Sequence, residues 1–125
     1  MPEIRLTIPG SVRIKKNSRR IFRAGSFKKN LPSKAYCAWE DQARAVLWPR
    51  AIMPPPAGPV HIEAHFFVKG PLPDLSGALE SCGDMLQGLF YQDDRQITSW
   101  DGSRVHHDLR NPRTEVIIRW GDGVS

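Results

Sequence analysis

The stretch VHIEAHFFVKGPLPDLSGALESCGDMLQGLFYQDDRQI, Val60 to Ile97, changes its apolar period twice. From Val60 to Val68 the positions Val60, Ile62, Ala64, Phe66 and Val68 alternate with His61, Glu63, His65 and Phe67, the period-2 pattern of a strand with one core face. From Leu75 the apolar positions Leu79, Cys82, Leu86 and Leu89 recur at helical spacing, and Gly88 is placed to end that helix. The opposite stripe holds Gly77, Glu80, Ser81 and Asp84. After Asp93-Asp94 the residues Gln96 to Trp100 read as extended again.

Working outward, Glu3 to Ile8 form an alternating strand with Ile4, Leu6 and Ile8 on one side, broken by Pro9-Gly10. A long loop or loose hairpin follows, with one short extended candidate at Arg20 to Arg23. Ser33 is placed as the N-cap of a helix whose apolar stripe is Ala35, Trp39, Ala43, Val46 and Leu47, and Pro49 stops it. Pro54-Pro55-Pro56 and Gly58-Pro59 make a stiff connection. Asp101-Gly102 reads as a turn or bulge, and Thr114 to Trp120 as a last strand with Val116, Ile118 and Trp120 inward. The expected architecture is α+β, a small mixed β-sheet of about four strands covered by two helices, in the order β-α-β-α-β-β. Residues 1–125 are expected to form one domain, since this length builds one core and not two.

Hydrophobic residues make up 40% and charged residues 25% of the chain, a balance that supports a packed core and excludes a disordered class. No run approaches the roughly 20 apolar residues of a membrane span, and the amino terminus lacks a signal-peptide core, so the expected location is the cytoplasm, away from membranes. Cys37 and Cys82 are not spaced as a metal or redox pair. Neither a Walker-type phosphate loop nor a G-x-S-x-G elbow occurs.

Lys and Arg number 18 against 13 Asp and Glu, for a net charge of +5. Arg13, Lys15, Lys16, Arg19, Arg20, Arg23, Lys28, Lys29 and Lys34 fall in a stretch without a single acid. Such a block attracts polyanions and its binding weakens with salt. Lys15, Lys16, Arg19, Arg20, Lys28 and Lys29 are accordingly the candidate phosphate contacts. Phe22, Phe27 and Tyr36 lie in or beside the block, placed either to stack on unpaired bases or to close the core.

The acids gather elsewhere. Asp74 lies at the mouth of the second helix, Asp93 and Asp94 beyond its end, and an antiparallel return of the chain would bring the two ends together. Two or three carboxylates there suit Mg²⁺, a hard cation that takes one or two carboxylates together with water and substrate phosphate. Singly, each has a plainer role: Asp74 as a helix N-cap, Asp93-Asp94 as a polar turn.

This segment resembles the core of the RusA family of Holliday-junction resolvases, in which a strand leads to D-L-D-N, a helix with a further Asp, and D-D-x-Q-[IV]. The corresponding residues are Asp74-Leu75-Ser76-Gly77, Asp84, and Asp93-Asp94-Arg95-Gln96-Ile97. The resemblance implies an endonuclease that resolves four-way junctions and other branched DNA with Mg²⁺, or Mn²⁺, and acts as a homodimer. It also implies that Asp74 and Asp94 are the catalytic metal ligands, with Asp93, Asp84, Glu80 and Ser76 as supporting candidates. Ser76 stands where the family has its middle aspartate, replacing a charge by a neutral hydroxyl. Glu80 stands where the resolvase has a lysine implicated in catalysis. These departures define an alternative, a junction-binding relative without cleavage.

Histidines make a separate pattern. His61 and His65 flank Glu63, but residues four apart on a strand lie roughly 13 Å apart, too far for one ion. His106-His107-Asp108, before Asn111-Pro112, reads as a surface loop. No metal is assigned to either group.

Overall fold

The computed structural model describes residues 2–15, 20–24, 27–31 and 33–121, with only the backbone described over 20–24 and 27–31. Lys16 and Arg19, and the side chains of Arg20, Phe22, Phe27, Lys28 and Lys29, lie outside the described residues.

The alternating segments become strands as their period requires. β1 (Glu3–Pro9) pairs antiparallel with β7 (Arg113–Trp120), placing Leu6 opposite Val116. β7 pairs antiparallel with β4 (Val60–Val68), placing Ile62 opposite Ile118. Two short strands, β5 (Ile97–Ser99) and β6 (Arg104–His107), run parallel to β4 along its other edge, β5 at its start and β6 at its end. The sheet is thus mixed and five-stranded. A separate hairpin, β2 (Arg20–Ala24) with β3 (Phe27–Leu31), occupies the basic stretch.

One face of the sheet is dry. Leu6, Ile8, Ile62, Phe66, Val116 and Ile118 are buried under α1 (Lys34–Leu47) and α2 (Leu75–Leu86). Ser33 caps α1 by accepting from the backbone N–H of Tyr36 at 3.0 Å. The buried stripe of α1 is Tyr36, Trp39, Ala43 and Leu47. Ala35 and Val46 face outward instead, because the stripe follows the i, i+3, i+4 rows from Tyr36 rather than from Ala35.

α2 is shorter than its spacing predicts. It ends at Leu86, and Gly88 turns the chain at φ +85°, a conformation that glycine adopts without a Cβ penalty. Leu89 is buried from that turn and not from the helix. The terminal carbonyls of α2 are served by α1: Arg44 Nη1 donates to Met85 O at 2.8 Å and to Gln87 O at 2.9 Å.

The other sequence differences have local causes. Asp94 to Gln96 form a 3₁₀ turn because Asp93 caps it, so β5 starts only at Ile97. His106 and His107, expected in a surface loop, instead end β6, which pairs with β4. Trp120 is only partly buried, its indole N–H donating to Phe90 O at 2.9 Å. Among the described residues, no helix is long and apolar enough to cross a membrane.

Candidate active site

Asp74 lies at the start of α2, and the Asp93-Asp94 turn follows its end, tied there to Gln87. Asp74 caps the helix, its Oδ2 accepting from Gly77 N–H at 3.3 Å and from the Ser76 hydroxyl at 2.8 Å. The plain N-cap role and a place at the helix mouth therefore coincide in this residue. Ser76 also lines an open cleft of about 340 Å³ with Leu79, Glu80, Gly83, Asp94, Ile97 and Trp100. The crossover from β4 through α2 to β5 thus sets residues 18 positions apart, Ser76 and Asp94, on one wall system.

Asp93 and Asp94 have opposite surroundings. Asp93 accepts from the backbone N–H of Arg95 at 2.9 Å and pairs with the Arg95 guanidinium at 3.2 Å, which holds its carboxyl down at about 2. Asp94 lines the cleft, where partial loss of water, then the hydrogen bond and charge of Asp93, then the charge of Asp84, push its carboxyl above the ordinary aspartate value. The two carboxyls titrate as a pair, with Asp93 ionising first. A carboxylate held up by lost water and by neighbouring acids is one that a cation would relieve.

Gln96 fixes this turn. Its Oε1 accepts from the backbone N–H groups of Gln92 at 2.7 Å and Asp93 at 2.9 Å, while its Nε2 donates to Pro56 O at 3.0 Å and Gly58 O at 2.8 Å. The glutamine of the D-D-x-Q signature therefore ties the acidic turn to the proline-rich connection. Gln87 adds a second tether, its Oε1 accepting from Asp94 N–H at 3.0 Å. Neither role has a sequence signal beyond the motif position. Tyr91, buried behind the cleft, donates its hydroxyl to Gly83 O, and the ring of Trp100 lies beside Gly83.

Asp84 is paired with the basic stretch, while its charge still reaches Asp94. Lys15 Nζ pairs with Asp84 Oδ2 at 3.0 Å, and Lys15 N–H donates to the buried Ser81 hydroxyl at 3.2 Å. The Asp84 hydrogen bond and charge, helped by Glu40 and Glu80, raise the Lys15 ammonium above its usual value. Tyr36 is a core residue rather than an exposed stacking platform, with its ring 5.9 Å from Lys15 Nζ and its hydroxyl donating to Glu40.

The cleft presents oxygen donors, which suit a hard cation. Among the described residues no group of three His, Cys, Asp or Glu is gathered to hold a metal. Of the two expected ligands, Asp94 lines the cleft, whereas Asp74 is not among its lining residues and touches it only by accepting from Ser76.

The family model of the RusA endodeoxyribonuclease matches residues 9–119. The chain belongs to the RusA family. No curated protein matches it. The RusA match spans β1's end through β7, so the cleft, the basic hairpin and the Asp93-Asp94 turn all lie within the family domain. Membership makes the chain one of a nuclease family.

Proposed function

We propose that this RusA-family chain is a Mg²⁺-dependent endonuclease, with Mn²⁺ as a substitute ion, that resolves four-way junctions and other branched DNA in recombination and repair. The observation that carries the reading is the division of labour in the acidic turn. Asp93 is occupied by Arg95, while Asp94 is held on the cleft wall opposite Ser76 and Glu80.

In this reading Asp94 and Asp74 are the metal-binding carboxylates. Mg²⁺ bound there would lower the pKa of a water and stabilise charge on the phosphoryl oxygens. The chain's own residues do the rest. Gln96 and Gln87 hold Asp94 in position, Ser76 orients Asp74, and Trp100 and Ile97 wall the cleft. Lys15, at the entrance to the basic stretch, exchanges its pairing with Asp84 for a DNA phosphate, and Lys16, Arg19, Arg20, Lys28 and Lys29 extend the grip along the backbone. A two-fold homodimer would present two equivalent clefts to the related strands of a junction. The cytoplasm is the compartment in which such a substrate is met.

The test is cleavage of a synthetic four-way junction. Wild-type protein should give symmetric nicks with Mg²⁺ or Mn²⁺, and Asp94→Asn should bind the junction without cutting. Absence of products from wild type with either ion counts against the nuclease.

A second reading, a RusA-type protein that binds junctions without cleaving them, is favoured by the Ser76 hydroxyl, which brings no charge to the cleft and satisfies itself on Asp74. It predicts junction binding that is unchanged by Mg²⁺ and by Asp94→Asn.

A further inference from the structure

The face of the sheet turned away from the helices carries Glu63, His65 and Phe67 on β4, His106 on β6 and Arg113 and Glu115 on β7. His65 Nδ1 lies 3.0 Å from His106 Nε2, and His65 Nε2 lies 2.7 Å from Glu63 Oε2. A carboxylate only accepts, so the bond to Glu63 puts the His65 proton on Nε2 and leaves the Nδ1 lone pair aimed at His106. The His106 ring is stacked on His65 at 5.2 Å and on Phe67 at 4.5 Å, with the Arg113 guanidinium 3.9 Å from the other side of Phe67. Both imidazoles are therefore held in place before any ligand arrives.

We propose that His65 Nδ1 and His106 Nε2 form a two-point site for a transition-metal ion of the Zn²⁺, Ni²⁺ or Cu²⁺ class, with Glu63 as the carboxylate that orients His65. The separation fits the chemistry. Two nitrogens each 2.0–2.1 Å from a tetrahedral Zn²⁺ stand about 3.3 Å apart, so the ion replaces the shared proton with a shift of a few tenths of an ångström. His106 then binds through Nε2 in its Nδ1–H tautomer, and no net proton need leave the pair.

Three surroundings favour it. Carboxylate–histidine–metal is the arrangement in which an outer carboxylate fixes the tautomer and raises ligand basicity. Loss of water around His106 and then the charges of Arg104 and Arg113 lower its pKa, against a weaker opposite pull from Glu115, which favours the neutral ring that ligates. His65 and Glu63 keep 26% and 29% of their side-chain surface exposed, leaving solvent access for waters to complete the coordination. Imidazole nitrogen selects borderline metals, whereas Mg²⁺ seeks oxygen, so this site is chemically separate from the cleft.

The experiment is calorimetric titration of tag-free full-length protein with ZnCl₂, with and without excess Mg²⁺, beside an NMR titration of the four histidines. Zn²⁺ should shift the imidazole resonances of His65 and His106 and leave those of His61 and His107 in place, with excess Mg²⁺ unable to compete. His65→Gln and His106→Gln should each weaken binding at least tenfold, and Glu63→Gln about 10-fold or more. Asp94→Asn and His107→Gln should bind as wild type does. Wild-type affinity in His106→Gln, no resonance shift at His65 and His106, or displacement by Mg²⁺ would each overturn the assignment. The wild-type resonance shifts decide the matter even if a variant folds poorly.

Discussion

The Ser76 hydroxyl donates to Asp74 Oδ2 at 2.8 Å, spending its one proton on the neighbouring carboxylate. An aspartate there would instead repel Asp74, and only a cation would hold both. Ser76→Asp should therefore lower the melting temperature without divalent ions and restore it with Mg²⁺, while tightening Mg²⁺ binding about tenfold or more. Thermal melts at several Mg²⁺ concentrations check this, and a variant whose melting does not respond to Mg²⁺ would rule out metal binding beside Asp74.

The two acids of the turn should respond oppositely to removal of charge. Asp94 has a raised native pKa, so the unfolded chain loses that proton first and the contribution, full below the unfolded value, is lost as pH rises through the native one. Asp93 is held down at about 2, so its contribution is present above the ordinary aspartate value near 3.8 and is lost as pH falls toward 2. At pH 7 without metal, Asp94→Asn should raise the melting temperature and Asp93→Asn should lower it. Equal shifts of the same sign at pH 7 would show that the turn does not divide the two roles.

Lys15 carries a testable trade between protein and DNA. Its ammonium is paired with Asp84 at 3.0 Å in the free protein, and a phosphate contact competes with that pair. Asp84→Asn should tighten junction binding, and Lys15→Met should weaken it while reducing the slope of log affinity against log salt by about 1. Fluorescence anisotropy across a salt series measures both, and an unchanged slope in Lys15→Met would remove Lys15 from the interface.

The fold was legible where period and punctuation agreed. β1, β4 and β7 followed from alternation, and the helix starts from Ser33 and Asp74, because burial of one face is written into every second or every third and fourth residue. What escaped was pairing between distant segments. β6 is four residues with two adjacent histidines, and nothing local distinguishes it from a loop; only its parallel ladder on β4 makes it a strand and sets His106 against His65. In the same way Asp84 and Lys15, 69 positions apart, were read as a supporting acid and a phosphate contact, with no sign that they meet. The motif singled out Asp94, which lines the cleft, and Asp74, which does not; the tethers of the acidic turn, Gln87 and Gln96, depend on backbone groups whose positions the motif does not encode.

Gln96 offers the sharpest separation of positioning from chemistry. It both accepts and donates, and a carboxylate can only accept, so Gln96→Glu keeps the bonds from Gln92 and Asp93 while turning an anionic oxygen toward the carbonyls of Pro56 and Gly58. Loss of a partly buried donor should cost about 1–3 kcal/mol at neutral pH. Below the ordinary glutamate pKa of about 4.3 the protonated side chain can donate again, so the deficit relative to wild type should shrink as pH falls through that value. Urea denaturation at pH 7 and pH 4 reads the difference directly. A deficit equal at both pH values would mean that the donor half of Gln96 contributes nothing, and the acidic turn would then owe its position to Gln87 and the Asp93 cap alone.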